Sequence, residues 1–163
     1  MGLPWSFMGR IDTSSREQIE MFVDSGCVGM RFGIESFHQR LLDAVNKRLD
    51  AAKSWDTCNW ILTRFRGIHV RLLTMTQLPG ETAQDESEDS RKFNHLQVMG
   101  NAWGNKVDIQ SAPCIALPGT ELWRQMVAAG HKGDMENFEE HNPMREGTPL
   151  QSRLKVYQEA SKP

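Results

Sequence analysis

The segment from Val28 to Ile34 is almost unbroken in apolar character and stops abruptly at Glu35-Ser36. A run this short and this apolar predicts a strand covered on both faces, the situation of a parallel sheet rather than a half-solvated antiparallel one. Parallel strands need crossover connections, so the sequence on either side must supply helices. It does so repeatedly.

Trp5 to Ile11 reads as a short strand. Ser14-Ser15-Arg16-Glu17-Gln18 then offers two overlapping capping boxes, Ser14 with Glu17 and Ser15 with Gln18, ahead of an apolar face at Ile19, Phe22 and Val23. Gly26 ends that helix. After the apolar strand, one helix carries Leu41, Leu42 and Val45, and another from about Asp50 to Arg66 places Trp55, Cys58, Leu62 and Phe65 on one face, with Gly67 expected as its cap. Ile68 to Thr76 and Val107 to Ala112 read as further strands, separated by a helix with Phe93, Leu96 and Met99 inward. Thr120 caps a helix expected to end at Gly130. The pattern is β-α repeated four times with one extra helix, which predicts an α/β parallel sheet with right-handed crossovers, a partial (β/α) barrel of about four strands. Residues 1–130 are expected to form this part. Residues 131–163 are expected to form a tail, aperiodic to Pro149, with a terminal amphipathic helix from Pro149 to Ala160.

Composition narrows the function classes. A formal net charge of −2 and a pI near 6.2 provide no basic face for a phosphate backbone, so nucleic acid is not implied. No apolar run approaches the ~20 residues of a membrane span, and the cytoplasm is the expected compartment. The three cysteines, Cys27, Cys58 and Cys114, are far apart and fit core positions better than a disulfide framework or a paired-cysteine metal site. The histidines share no metal-ligand spacing, and methionines such as Met30, Met75 and Met99 suit core packing. The acidic run Asp85, Glu86, Glu88 and Asp89 reads as a solvated helix start that complements the helix dipole.

Parallel strands present their carboxyl ends on one rim, where α/β proteins place ligands. That rim would gather Arg10 with Asp12, Glu35 with Ser36, Thr76 with Gln77, and Pro113 with Cys114. Glu35 could accept hydrogen bonds from a ribose, and Arg10 or Lys47 could pair with a carboxylate, a combination suited to a zwitterionic nucleoside-like ligand. Equally, Glu35 could form a structural ion pair with Arg10 or Arg31.

The ordered set Trp5, Gly9-Arg10-Ile11-Asp12, Gly26-Cys27, Phe32-Gly33-Ile34-Glu35-Ser36, Asn46-Lys47, Gly67-Ile68, Leu78-Pro79-Gly80-Glu81-Thr82 and Leu117-Pro118-Gly119-Thr120-Glu121-Leu122 resembles the radical S-adenosylmethionine enzymes. The branch it resembles often carries a cobalamin-binding domain upstream. Asn137-Phe138 through Asn142-Pro143 is similar to the segment that succeeds the core in that branch. The resemblance implies a partial (β/α)6 barrel in which a three-cysteine 4Fe–4S cluster cleaves S-adenosylmethionine reductively to a radical that abstracts hydrogen from a substrate. It implies that Glu35 contacts the ribose region, with Ser36 also at the cofactor, that Lys47 reaches the methionine carboxylate, and that Arg10 adds a polar contact. The loop from Gln77 to Thr82 and the strand end around Pro113 would lie near the adenine. Two departures stand out. The family usually has Gly where this chain has Gln77, and the chain contains no Cys-x3-Cys-x2-Cys run. The expected role is therefore part of a cofactor site completed by an N-terminal half-barrel or upstream chain. The alternatives are a non-catalytic interaction module pairing through an open sheet edge, or an α/β barrel fragment of another enzyme class.

Overall fold

The computed structural model describes residues 3–128. The expected helix end at Gly130, the 131–163 tail with its terminal helix, and His131 and His141 lie outside the described residues.

The elements run β1 (Trp5–Gly9), α1 (Arg16–Asp24), β2 (Cys27–Glu35), α2 (Gln39–Ala44), α3 (Ala51–Arg64), β3 (His69–Thr76), α4 (Ala83–Ala102), β4 (Lys106–Pro113) and α5 (Glu121–Ala128). The four strands form one parallel sheet in the order β1-β2-β3-β4, so each successive strand is added on the same side. This is the open α/β arc expected from the alternation, with the extra helix after the second strand. No helix among the described residues is long and apolar enough to cross a membrane.

Register explains how the sheet holds its helices. Met30 on β2 pairs with Val70 on β3, which pairs with Val107 on β4, and Phe32 is in line with Leu72 and Ile109. These side chains meet Ile19 of α1, Cys58 and Leu62 of α3, and Phe93 and Leu96 of α4 in one core. Phe32, Leu72 and Leu96 are completely buried, and each contributes about 1.5–3 kcal/mol on that basis. Because side chains alternate along a strand, Met8, Arg31, Arg71 and Asp108 share a register row on the opposite face. Two-sided burial of β2 is thus not found: Val28 and Arg31 are exposed, since no layer among the described residues covers that face. The three cysteines are all free and buried.

Helix ends follow local chemistry in most places. Of the two capping boxes available to α1, the one formed pairs Ser15 with Gln18. Asp50 caps α3 by accepting from the Lys53 amide at 2.8 Å. At its other end α3 departs from expectation, because Phe65 and not Gly67 is the cap residue. The reason is a buried side chain 40 residues away: Asn105 donates to the carbonyls of Leu62 and Phe65 at 2.9 and 3.0 Å. Those are helix-terminal acceptors that glycine capping normally serves. Gly67 instead takes φ +74° in the turn beyond.

Candidate functional site

The carboxyl ends of the strands form a polar rim beside a small second apolar cluster of Leu41, Leu78, Cys114, Ala116 and Leu122. At its centre, Glu35 closes β2 with φ +65°, and strand pairing slips one residue between Gly33 and Glu35. The slip and the left-handed backbone aim the Glu35 carboxylate across the rim, where Lys47 Nζ donates to it at 2.5 Å. Glu35 is buried, whereas the Lys47 side chain is 29% exposed. Gly33 makes room for the pair, because a Cβ there would lie 2.8 Å from Glu35 Oε1.

Lys47 is delivered by a tight reversal after α2, in which Asn46 and Arg48 both have positive φ, 53° and 52°. Arg10 braces that reversal. Its guanidinium donates to the Lys47 and Arg48 carbonyls at 3.3 and 3.0 Å while forming a two-pronged bond to Asp12 at 3.0 and 2.9 Å. The Asp12 carboxyl is held below its usual range chiefly by that bond. The structural pairing of Glu35 is therefore with Lys47, and the residue in line with the rim, Arg10, is committed to positioning Lys47.

Ser36 points elsewhere. Fully buried, its hydroxyl donates to Asp89 at 2.5 Å and accepts from the His38 amide at 3.0 Å, while Asp89 also accepts from the Phe37 amide at 3.0 Å. Gln77 stands just past β3 with φ +62°, a conformation in which glycine carries no steric penalty. This gives a physical reason for a glycine preference at such a position. Pro113 ends β4 opposite Thr76, and the Cys114 amide donates to the Thr76 carbonyl at 2.8 Å. The Cys114 thiol is pushed up to about 11, first by burial and then by the nearby Glu35 and Glu81 carboxylates.

The acidic run at the start of α4 is not a solvated helix start. Asp85 and Asp89, one turn apart, are both buried. Asp85 completes a capping box with Thr82 and forms an ion pair with Arg40 of α2, whose other nitrogen donates to the Gly80 carbonyl at 2.8 Å. The spacing Thr82-x-x-Asp85 carries a signal for the first of these contacts. Nothing local in the sequence points to Arg40. The Thr82 hydroxyl, at 2.5 Å, is the main reason the Asp85 carboxyl lies well below the ordinary range, with Arg40 adding to it. A depressed folded-state pKa contributes stability that is complete above the unfolded value of about 3.9 and lost as pH falls through and below it. Urea unfolding from pH 5 down to pH 2 should show this loss. Arg40→Gln should make the decline shallower; an identical slope in the variant would assign the acid sensitivity elsewhere.

An open parallel sheet, helices packed on one face, and an acid–base pair crossing the carboxyl rim define an α/β partial barrel with a polar rim at its strand ends. No protein-family profile matches the chain. A curated Pyrococcus horikoshii protein named uncharacterized methyltransferase PH0819 is 26% identical over 131 residues, covering 78% of this chain and 26% of that protein. The solved structure of archaeal Methanocaldococcus infernus Elp3 with an N-terminal deletion superposes with a TM-score of 0.59 at 16% identity, covering 98% of this chain and 33% of that one. The chain thus spans about a quarter to a third of the length of these proteins, and the second likeness concerns the fold alone.

Proposed function

We propose that this chain is the C-terminal part of a radical S-adenosylmethionine partial barrel, residues 1–130, followed by a tail, and that it supplies part of the S-adenosylmethionine site of a cytoplasmic enzyme. The observation that carries the reading is the Glu35–Lys47 pair at 2.5 Å, aimed across the strand ends. A zwitterionic ligand could enter by exchange: Lys47 passes from Glu35 to the methionine carboxylate, and Glu35 turns to accept the ribose hydroxyls. Arg10 positions Lys47, Gln77 and the loop after it border the adenine, and backbone groups beyond Pro113 are available to it. Ser36 takes part by fixing the turn beyond Glu35. When bound, S-adenosylmethionine would be cleaved with an electron from a 4Fe–4S cluster and would supply the group that abstracts hydrogen from a substrate. The methyltransferase name of the Pyrococcus protein is compatible with a protein that binds S-adenosylmethionine.

The cysteines present do not fit a 4Fe–4S cluster. Cys27 and Cys58 lie in the main core and Cys114 in the second one, and no metal-holding group of side chains occurs among the described residues. We place the cluster ligands in an N-terminal half-barrel, of this polypeptide or another, that would pair with the edge of β1. Cobalamin, implied by the branch resemblance, gains no support from any residue in the site. The edge strand β1, with Leu3 exposed ahead of it and Met8 exposed within it, also favours the second reading, an interaction module without catalysis.

Calorimetric titration of S-adenosylmethionine into the protein assembled with its N-terminal half separates the two. Glu35→Ala and Lys47→Ala should each weaken binding about tenfold or more, roughly 1.4 kcal/mol. Unchanged affinity in both variants would remove the site assignment, and absence of S-adenosylmethionine binding by the unmodified assembly would favour the interaction module.

A further inference from the structure

The face of the sheet opposite the core carries a charge arrangement that the rim does not use. Arg31 on β2 and Arg71 on β3 are direct register partners. They alternate with Met30 and Phe32 on one strand and Val70 and Leu72 on the other, all buried in the core, so both guanidinium stems leave the same open face. Adjacent strands lie only about 4.8 Å apart. Like charges side by side at that spacing repel unless something anionic lies between them.

Among the described residues a counter-charge stands on one side only. Asp108 on β4 accepts from His69 Nε2 at 2.7 Å and Arg71 at 3.2 Å, with Lys106 at 3.9 Å. Its carboxyl is held below the ordinary range chiefly by the His69 bond. Asp108 thereby orients His69 and Arg71, but the Arg31 side chain, on the far side of Arg71, has no hydrogen bond or ion pair among the described residues. Counted over the described residues, the face keeps an excess of positive charge although the chain as a whole is net negative.

Beside the two arginines the surface dips. Ser6, Gly29, Arg31, His69 and Arg71 line a pocket of about 50 Å³, several times the ~10–15 Å³ that one water needs. Gly29 is the floor. A Cβ there would sit 2.9 Å from the Ser6 Cβ, so the hollow exists because position 29 has no side chain.

We infer that Arg31, Arg71 and His69 form an oxyanion site above Gly29, taking the carboxylate or phosphate group of a small molecule. Arg31 supplies the uncommitted guanidinium, Arg71 the one pre-aligned by Asp108, and the His69 ring closes the wall. Fork-shaped guanidinium donors suit both oxyanions. The site lies four residues before Glu35 on β2, roughly 13 Å along the strand from the rim. It is therefore separate from the proposed S-adenosylmethionine contacts, and a molecule anchored here would extend its other end toward them.

The test is titration of the full 163-residue chain with inorganic phosphate and, separately, with acetate, each against sodium chloride at matched ionic strength, following the arginine Nε–Hε resonances by NMR. Saturable shifts confined to Arg31 and Arg71 are expected, and Arg31→Gln, at an exposed position that the core does not need, should raise the Kd at least tenfold. Whichever anion saturates at the lower concentration identifies the group. Glu35→Ala should leave the titration unchanged, so this site and the rim assignment fail independently. Shifts that grow linearly with concentration, that match sodium chloride, or that persist in Arg31→Gln would overturn the proposal.

Discussion

Replacing Gly100 with valine is expected to destabilise the protein by about 3 kcal/mol or more, read as a drop in the urea midpoint with little change in slope. Gly100 lies in the last turns of α4 and is buried where that helix crosses β4 and α3. A Cβ built there would lie 2.4 Å from Val107 Cγ2, shorter than real contacts allow, and 3.0 Å from Leu62 Cδ2, a tight contact that a small shift of the leucine can relieve. Alanine makes the argument sharper, because elsewhere in a helix it would improve on glycine by about 1 kcal/mol. Here the clash with a β-branched side chain packed on the sheet exceeds that gain, so Gly100→Ala should also destabilise. Val107→Ala removes the offending methyl, and in that background Gly100→Ala should be harmless or favourable. If Gly100→Ala stabilises the unmodified protein, the close approach of α4 to the sheet is wrong.

Asp89→Ala should cost roughly 3 kcal/mol. The carboxylate accepts from the Ser36 hydroxyl and the Phe37 amide, and those residues are 0% and 6% exposed, so water cannot replace it without opening the junction. Asp89→Asn keeps one acceptor and should cost less than half as much. Ser36→Ala removes one of the donors, and in a double-mutant cycle with Asp89→Ala the two changes should show a coupling above about 0.5 kcal/mol. Additive losses would mean that the two side chains act separately and that the turn after β2 is held by something else.

The residues involved show what can be read from the sequence and what cannot. Strands such as Cys27–Glu35 are local objects, declared by a few consecutive apolar side chains between turn residues, and the order of strands and helices comes with them. Glu35 and Lys47 can be singled out because strand ends and short-range spacing are also local. Their mutual pairing is not legible in the same way: the sequence offers Arg10 or Arg31 as an ion-pair partner for Glu35, whereas the observed pair depends on two left-handed residues that reverse the chain around Lys47. Asp89 reads as solvated because four acids in five positions resemble a solvent-facing charge run. Its partner Ser36 lies 53 residues earlier, and only the crossover brings them together. Asn105 capping α3 in place of Gly67 belongs to the same category: a long-range contact took over an end that local chemistry could have closed.

Of the described non-glycine residues with positive φ, four in all, Glu35, Asn46, Arg48 and Gln77 border the rim. A left-handed backbone conformation costs a residue with a Cβ roughly 1–2 kcal/mol, less for asparagine. At Arg48 and Gln77, glycine would relieve that cost, and at Asn46 there is little to relieve. At Glu35 the same relief would delete the carboxylate whose direction the conformation sets. Foldability and the ion pair with Lys47 therefore ask for different amino acids at position 35, and its glutamate marks the point where the chain gives up some stability to aim a charge across the strand ends.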